Sequence, residues 1–174
     1  RGPMTINNST TRRGLMAAAA GSVMAATANA MPAKQSLADL KKEGEVACLY
    51  HCDFGSPERF GQMLTNISNH YSVYGADPFA IQLVIVAHGP GVKFFLDNLD
   101  GTTWKDEKLD PALFDRVVAL SKNGLKVHLC EITFTRQKID TNKARTAPFV
   151  TFVPSGVATV AALQGKGFAY LKVG

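Results

Sequence analysis

The chain has 174 residues, 46% of them hydrophobic and 19% charged, which is enough apolar mass for one substantial core and argues for one globular domain rather than two. Its formal charge is +5, but Arg1, Arg12 and Arg13 are three of the nineteen basic residues; the sixteen others face fourteen acids, a net of about +2. With no Lys/Arg cluster interleaved with aromatics in the body of the chain, the charge argues against nucleic acid as a partner.

In chain order, residues 4 to 13 are polar and end in the pair Arg12-Arg13, Gly14 to Ala28 is a small-residue apolar run, and Ala28-Asn29-Ala30 has the A-x-A form of a cleavage site. This pattern reads as a twin-arginine export signal and predicts a periplasmic protein. The apolar run is shorter than the ~20 residues needed to cross a bilayer, so no stable membrane span is expected after cleavage. Arg1-Gly2-Pro3, ahead of Met4, reads as a cloning remnant. The predicted organisation is therefore a leader over 1–30 and a single domain over 31–174.

SLADLKKEG suggests a short helix stopped by Gly44, and Glu45 to His51 (EVACLYH) a first strand. Ser56 is the N-cap and Pro57 the first turn of an amphipathic helix running to about Tyr74, closed by Gly75. Phe79 to Ala87 (FAIQLVIVA) is a run apolar at all but Gln82, as expected of a parallel strand buried on both faces. The turn His88-Gly89-Pro90-Gly91 follows, then a short helix from Val92 to Leu99. Asp110-Pro111 opens another helix, to Asn123 with Gly124 as its stop. Leu125 to Ile132 reads as a third strand, Phe149 to Val153 as a fourth, Val157 to Gln164 as a helix and Phe168 to Val173 as a last strand. This alternation predicts an α/β layered domain with a mostly parallel sheet of about five strands and helices on both faces.

Open parallel sheets bind ligands beyond the carboxyl ends of their strands. Three predicted strands finish in chemically active residues: His51-Cys52-Asp53, His88-Gly89-Pro90-Gly91 and Cys130-Glu131. If those strands are neighbours, His51, Cys52, His88 and Cys130 converge on one rim. Three cysteines are too few for a disulfide scaffold, and Cys48 and Cys52 lie roughly 13 Å apart on an intact strand, too far to bond.

Each candidate carries a plainer reading beside the chemical one. Cys130 is a nucleophilic thiolate favoured by a following helix N-terminus and by Arg136 but opposed by Glu131, or it is a small buried hydrophobe. His88 is a hydrogen-bond donor, an acid-base group or a metal ligand, or a turn residue capping a carbonyl. Gly89 and Gly91 point to close backbone approach and to N–H groups able to cradle an anion. His51, Cys52 and His88 form a donor set for zinc or copper, without the tight spacing that marks such sites, and only if the strand ends at His51, since neighbouring strand residues point to opposite faces. Asn66, Asn69 and His70 share one stretch of helix, which suits a polar face or a subunit contact. No phosphate loop, catalytic serine elbow or glycosidase carboxylate pair is present.

The segments LVIVAHGPGVKFFL, VHLCEITFTRQ and FVPSGVATVAALQGKGFAYLKVG, in this order, resemble the DsrE/DsrF-like family in its exported branch, over most of Glu45 to Gly174. The resemblance implies a three-layer α/β/α fold, assembly into trimers or hexamers, and kinship with sulfur-relay proteins. In relay members a cysteine just after the third strand carries sulfur as a persulfide, and Cys130 occupies the matching position. The implied function is an exported homo-oligomer handling reduced sulfur through Cys130, with a small sulfane-sulfur donor or a thiol acceptor protein as partner. A carrier and a sulfurtransferase share the same thiol, so turnover is left open. The rival readings are a zinc-, copper- or cofactor-binding module and a structural subunit with inert cysteines.

Overall fold

The computed structural model describes Gly2 and residues 30–174; the arginine pair and apolar run of the predicted leader lie outside the described residues. The strands are β1 (Ala33–Lys34), β2 (Val46–Cys52), β3 (Ile81–Ala87), β4 (Lys126–Cys130), β5 (Val150–Val153) and β6 (Ala169–Leu171). The α-helices are α1 (Pro57–Val73), α2 (Pro111–Ser121), α3 (Glu131–Gln137) and α4 (Gly156–Gly165), and short 3-10 helices span Leu37–Asp39, Gly89–Phe95 and Thr141–Lys143. One sheet of order β1-β5-β4-β3-β2-β6 holds all six strands, every pairing parallel.

Helix starts follow local hydrogen bonding. Ser56 Oγ accepts the Arg59 N–H at 3.2 Å, Asp110 Oδ1 accepts that of Ala112 at 2.9 Å and Ser155 Oγ accepts that of Ala158 at 3.2 Å. Each satisfies a donor that would otherwise have no intrahelical partner. The apolar stripe of α1, Phe60, Met63, Leu64 and Ile67, has no exposed surface and packs with Leu83, Ile85 and Ala87 of the sheet. Burial of each such side chain contributes about 1.5–3 kcal/mol before chain entropy is set against it.

Each step from β2 to β5 moves to the adjacent strand in the same direction, and α1, α2 and α3 join one core with the odd-register residues Leu83, Ile85, Val127 and Leu129. The chain then returns across the sheet to the far edge at β6, and α4 covers the other face, where Leu163 and Phe168 pack on Ala47, Leu49, Val84 and Val86. The expected three layers are thus present, with six strands rather than five. The sixth is β1, two residues long and held on the edge through Ala33 and Lys34 beside Thr151 and Phe152, too short to carry any periodicity in the sequence.

Three further expectations are corrected. The third strand stops at Cys130 instead of Ile132, and the β-branched EITFTRQ is helix α3; Phe134 packs edge-on against Phe152 at 5.1 Å, and that tertiary contact overrides the local preference for strand. The segment predicted as a helix from Val92 is a 3-10 helix beginning at Gly89. Its Lys93 is almost fully buried and ion-paired with Glu107. The helix expected in SLADLKKEG is only the turn Leu37–Asp39, and Gly44 is instead a close-approach residue: a Cβ there would lie 2.9 Å from the Gln82 backbone nitrogen.

Candidate functional site

Strand alternation decides which candidates meet. Along β2, Cys48, Tyr50 and Cys52 face the α1 side and join its core, leaving His51 on the α4 side. β2 runs through Cys52 in register with Ala87, so the strand does not end where a joint His51–Cys52 site requires it to. Cys52 is sealed, with no exposed surface, and burial pushes its thiol far above the ordinary range. It is therefore removed from the metal set. Cys48 is buried in the same core, its thiol also raised by burial, and all three cysteines are free.

Cys130 is the last residue of β4, beside Val153 of β5, and serves as N-cap residue of α3 with its side chain making no cap hydrogen bond. It is 5% exposed, and it forms part of the wall of a cavity of ≈ 370 Å³ at the carboxyl rim of the sheet. His88 and Gly89 line one side after β3, Thr133, Arg136 and Gln137 of α3 another, and Ser155 and Val157 a third. Cys130, His88, Arg136 and Gly89, singled out from the sequence, thus share one cavity. Glu131, whose charge opposes a neighbouring thiolate, is paired with Lys34 at 2.6 Å.

The glycines of the HGPG turn have different work from an anion cradle. Gly89 sits at φ +55°, a conformation that favours glycine, and its N–H donates to Thr133 Oγ1 at 2.9 Å. The Gly91 N–H donates to the His88 carbonyl at 3.1 Å. Both donors are therefore engaged within the protein. Gly91 lies outside the cavity, and a Cβ on it would fall 2.0 Å from the Cys52 carbonyl oxygen. The turn needs glycine at position 91 because it packs directly on the end of β2, and at position 89 because of its backbone conformation. Gly156, at the start of α4, answers the same constraint on the other side: a Cβ there would meet the His88 Cβ at 2.7 Å.

On the side of His88 toward β2, its Nε2 lies 2.6 Å from His51 Nε2, and His51 Nδ1 lies 2.6 Å from the Tyr170 hydroxyl. Asp53 accepts a hydrogen bond from the Lys172 ammonium at 2.9 Å. Burial lowers the pKa of both imidazoles; Asp53 partly opposes this, while Lys172 adds to it at both rings and His88 adds to it at His51. For Asp53, burial pulls the carboxyl upward, but the hydrogen bond from Lys172 and the charges of His51 and Lys172 outweigh it, and the net direction is down. Sequence reasoning named Asp53 at the strand end without giving it a role, and missed Tyr170 and Lys172. Asp53 adjoins the His-Cys pair and was within reach of the motif. Tyr170 and Lys172 are 119 residues from their partners and arrive only because β6 pairs with β2. Asn66, Asn69 and His70 lie apart from the Cys130 cavity, in a concavity bordered by Tyr50 and Lys172, and the Tyr50 hydroxyl is 3.0 Å from His70 Nδ1.

The model of the DsrE/DsrF-like family matches residues 14–173, nearly the whole chain. The chain belongs to the DsrE/DsrF-like family. Membership suggests a role related to sulfur relay. Among solved structures, this DsrE/DsrF-like chain is similar to a protein of unknown function from Methanobacterium thermoautotrophicum, at 20% identity and a TM-score of 0.58, over 74% of this chain and 99% of that one. That likeness bears on the fold alone. No curated protein matches the sequence. Among the described residues, no helix is long and apolar enough to cross a membrane.

Proposed function

We propose that this chain carries sulfane sulfur on Cys130, as an exported periplasmic homo-oligomer of three or six subunits that receives sulfur from a small donor and passes it to a thiol acceptor. The observation that carries the reading is the contrast among the cysteines: Cys130 borders an open cavity shared with His88 and Arg136, while Cys48 and Cys52 lie in the core beneath α1. Family membership supports a role related to sulfur relay. Ile132 and Val157, 41% and 67% exposed, flank the cavity with apolar surface suited to an acceptor protein or a neighbouring subunit.

In the proposed cycle His88 accepts the Cys130 proton and the Arg136 guanidinium draws the anionic donor to the cavity. The thiolate attacks the outer sulfur of the donor; the donor's S–S bond breaks and the remainder leaves with the electron pair, as sulfite when thiosulfate is the donor. Cys130 is then a persulfide. An acceptor thiolate attacks the terminal sulfur, the bond to Cys130 breaks, and the thiolate is regenerated with no net oxidant consumed.

Intact mass spectrometry of the reduced protein after exposure to thiosulfate or polysulfide tests this. The expected result is a gain of one sulfur atom, reversed by dithiothreitol, absent in Cys130→Ser and retained in Cys48→Ala. Uptake that persists in Cys130→Ser overturns the assignment.

A further inference from the structure

We infer that His51, Asp53 and His88 form a binding site for one divalent transition-metal ion of the zinc and copper class, with an open position for a solvent ligand. One donor atom from each residue lies within 4.8 Å of the others, and all three side chains are half-buried. They stand at the carboxyl ends of the adjacent strands β2 and β3, whose pairing from Val46↔Ile81 to Cys52↔Ala87 fixes their spacing. Two imidazole nitrogens and one carboxylate oxygen make a borderline donor set, better matched to zinc, copper, cobalt or nickel than to magnesium or calcium.

The ring of His51 is already oriented for this use. Tyr170 holds His51 at Nδ1, so Nε2 is the nitrogen turned toward His88, and such an outer partner both orients an imidazole ligand and raises its basicity. The two Nε2 atoms are 2.6 Å apart and share one proton. Around a tetrahedral ion with bonds of ~2.0–2.1 Å, ligand nitrogens stand about 3.3 Å apart. The rings therefore need to separate by less than an ångström, with the ion taking the proton's place. Lys172 occupies the carboxylate meanwhile; it is 42% exposed and free to swing into solvent when a dication binds Asp53. The site uses neither Cys52, which faces the opposite core, nor Cys130; it shares only His88 with the sulfur reading, and its cobalt and zinc readouts do not require Cys130. Because His88 also borders the Cys130 cavity, an ion held here adjoins that cavity.

The test is titration of the full chain, stripped of metal by chelator and dialysed, with Zn²⁺ by calorimetry and with Co²⁺ by absorption. One equivalent should bind. The cobalt complex should show ligand-field bands of tetrahedral intensity without thiolate-to-metal charge transfer, and Cys130→Ser should be indistinguishable from the parent. Tyr170→Phe should weaken binding roughly 10- to 100-fold, as for other outer partners, and Asp53→Asn and His51→Gln more than that. Lys172→Gln should tighten it, because the carboxylate loses its competing ammonium. Circular dichroism establishes that each variant is folded; should His51→Gln fail to fold, Asp53→Asn and Lys172→Gln, with opposite expected signs, decide the matter. Absence of saturable binding, affinity unchanged in Asp53→Asn, or a charge-transfer band lost in Cys130→Ser overturns the proposal.

Discussion

Gly91→Ala should destabilise the protein by about 3 kcal/mol or more, at or beyond the upper end of the usual cost of overpacking. The added methyl falls 2.0 Å from the Cys52 carbonyl oxygen and within 3.0 Å of both the Cys52 carbonyl carbon and its sulfur. The obstacle is backbone, which cannot rotate out of the way as a surface side chain can. That carbonyl also accepts the His88 N–H at 3.1 Å, so relief of the clash loosens the hydrogen bond joining the end of β2 to the start of the HGPG turn. For a chain of this size the loss corresponds to a fall in Tm of roughly 6–12 °C. Thermal and urea unfolding of the variant measure it; a cost below about 1 kcal/mol would show that the turn does not rest on β2 as described.

The second large effect is acid destabilisation centred on His128. Its side chain is 2% exposed on the α4 face of β4, with Nδ1 2.8 Å from Thr151 Oγ1. Burial, aided by the charge of Lys126, lowers its pKa to about 4, against about 6.5 in an unfolded chain. The sign follows from proton binding: the unfolded state takes up the proton first, so the stabilisation is fully present above about pH 6.5 and is lost as pH falls from there to about 4. The gap corresponds to about 3 kcal/mol. His51, His70 and His88 are also lowered, burial being the leading cause in each, and add to the loss with the same sign. Urea unfolding midpoints at pH 7.5 and pH 4.5 should therefore fall steeply in the parent. His128→Gln should start lower, having disturbed a packed site, yet lose less across the interval. An equal loss in parent and variant would mean that His128 is not held neutral by the fold.

What was legible in the sequence was local or bulk. The run FAIQLVIVA marked β3 because a strand covered on both faces is apolar at nearly every position, Gln82 being the exception, and seven of its nine residues form that strand. Ser56-Pro57 and Asp110-Pro111 marked helix starts because a cap hydrogen bond spans only two or three residues. Cys130, His88 and Arg136 were legible as a group through strand ends and family position, and they share one cavity. Less legible was anything depending on tertiary partners. EITFTRQ is helical through the seating of Phe134 on Phe152, and Cys52 lost its role because β2 continues one residue further than expected. Gly91 looked like a ligand-facing glycine, although the carbonyl it accommodates is the protein's own.

The central claim is that one thiol of three is open to small molecules. Its most direct measurement is alkylation of the reduced, native protein with iodoacetamide, followed by peptide mapping. The account predicts a single modified residue, Cys130, with Cys48 and Cys52 reacting only after denaturant is added. Native labelling at Cys48 or Cys52, or none at Cys130, would contradict it.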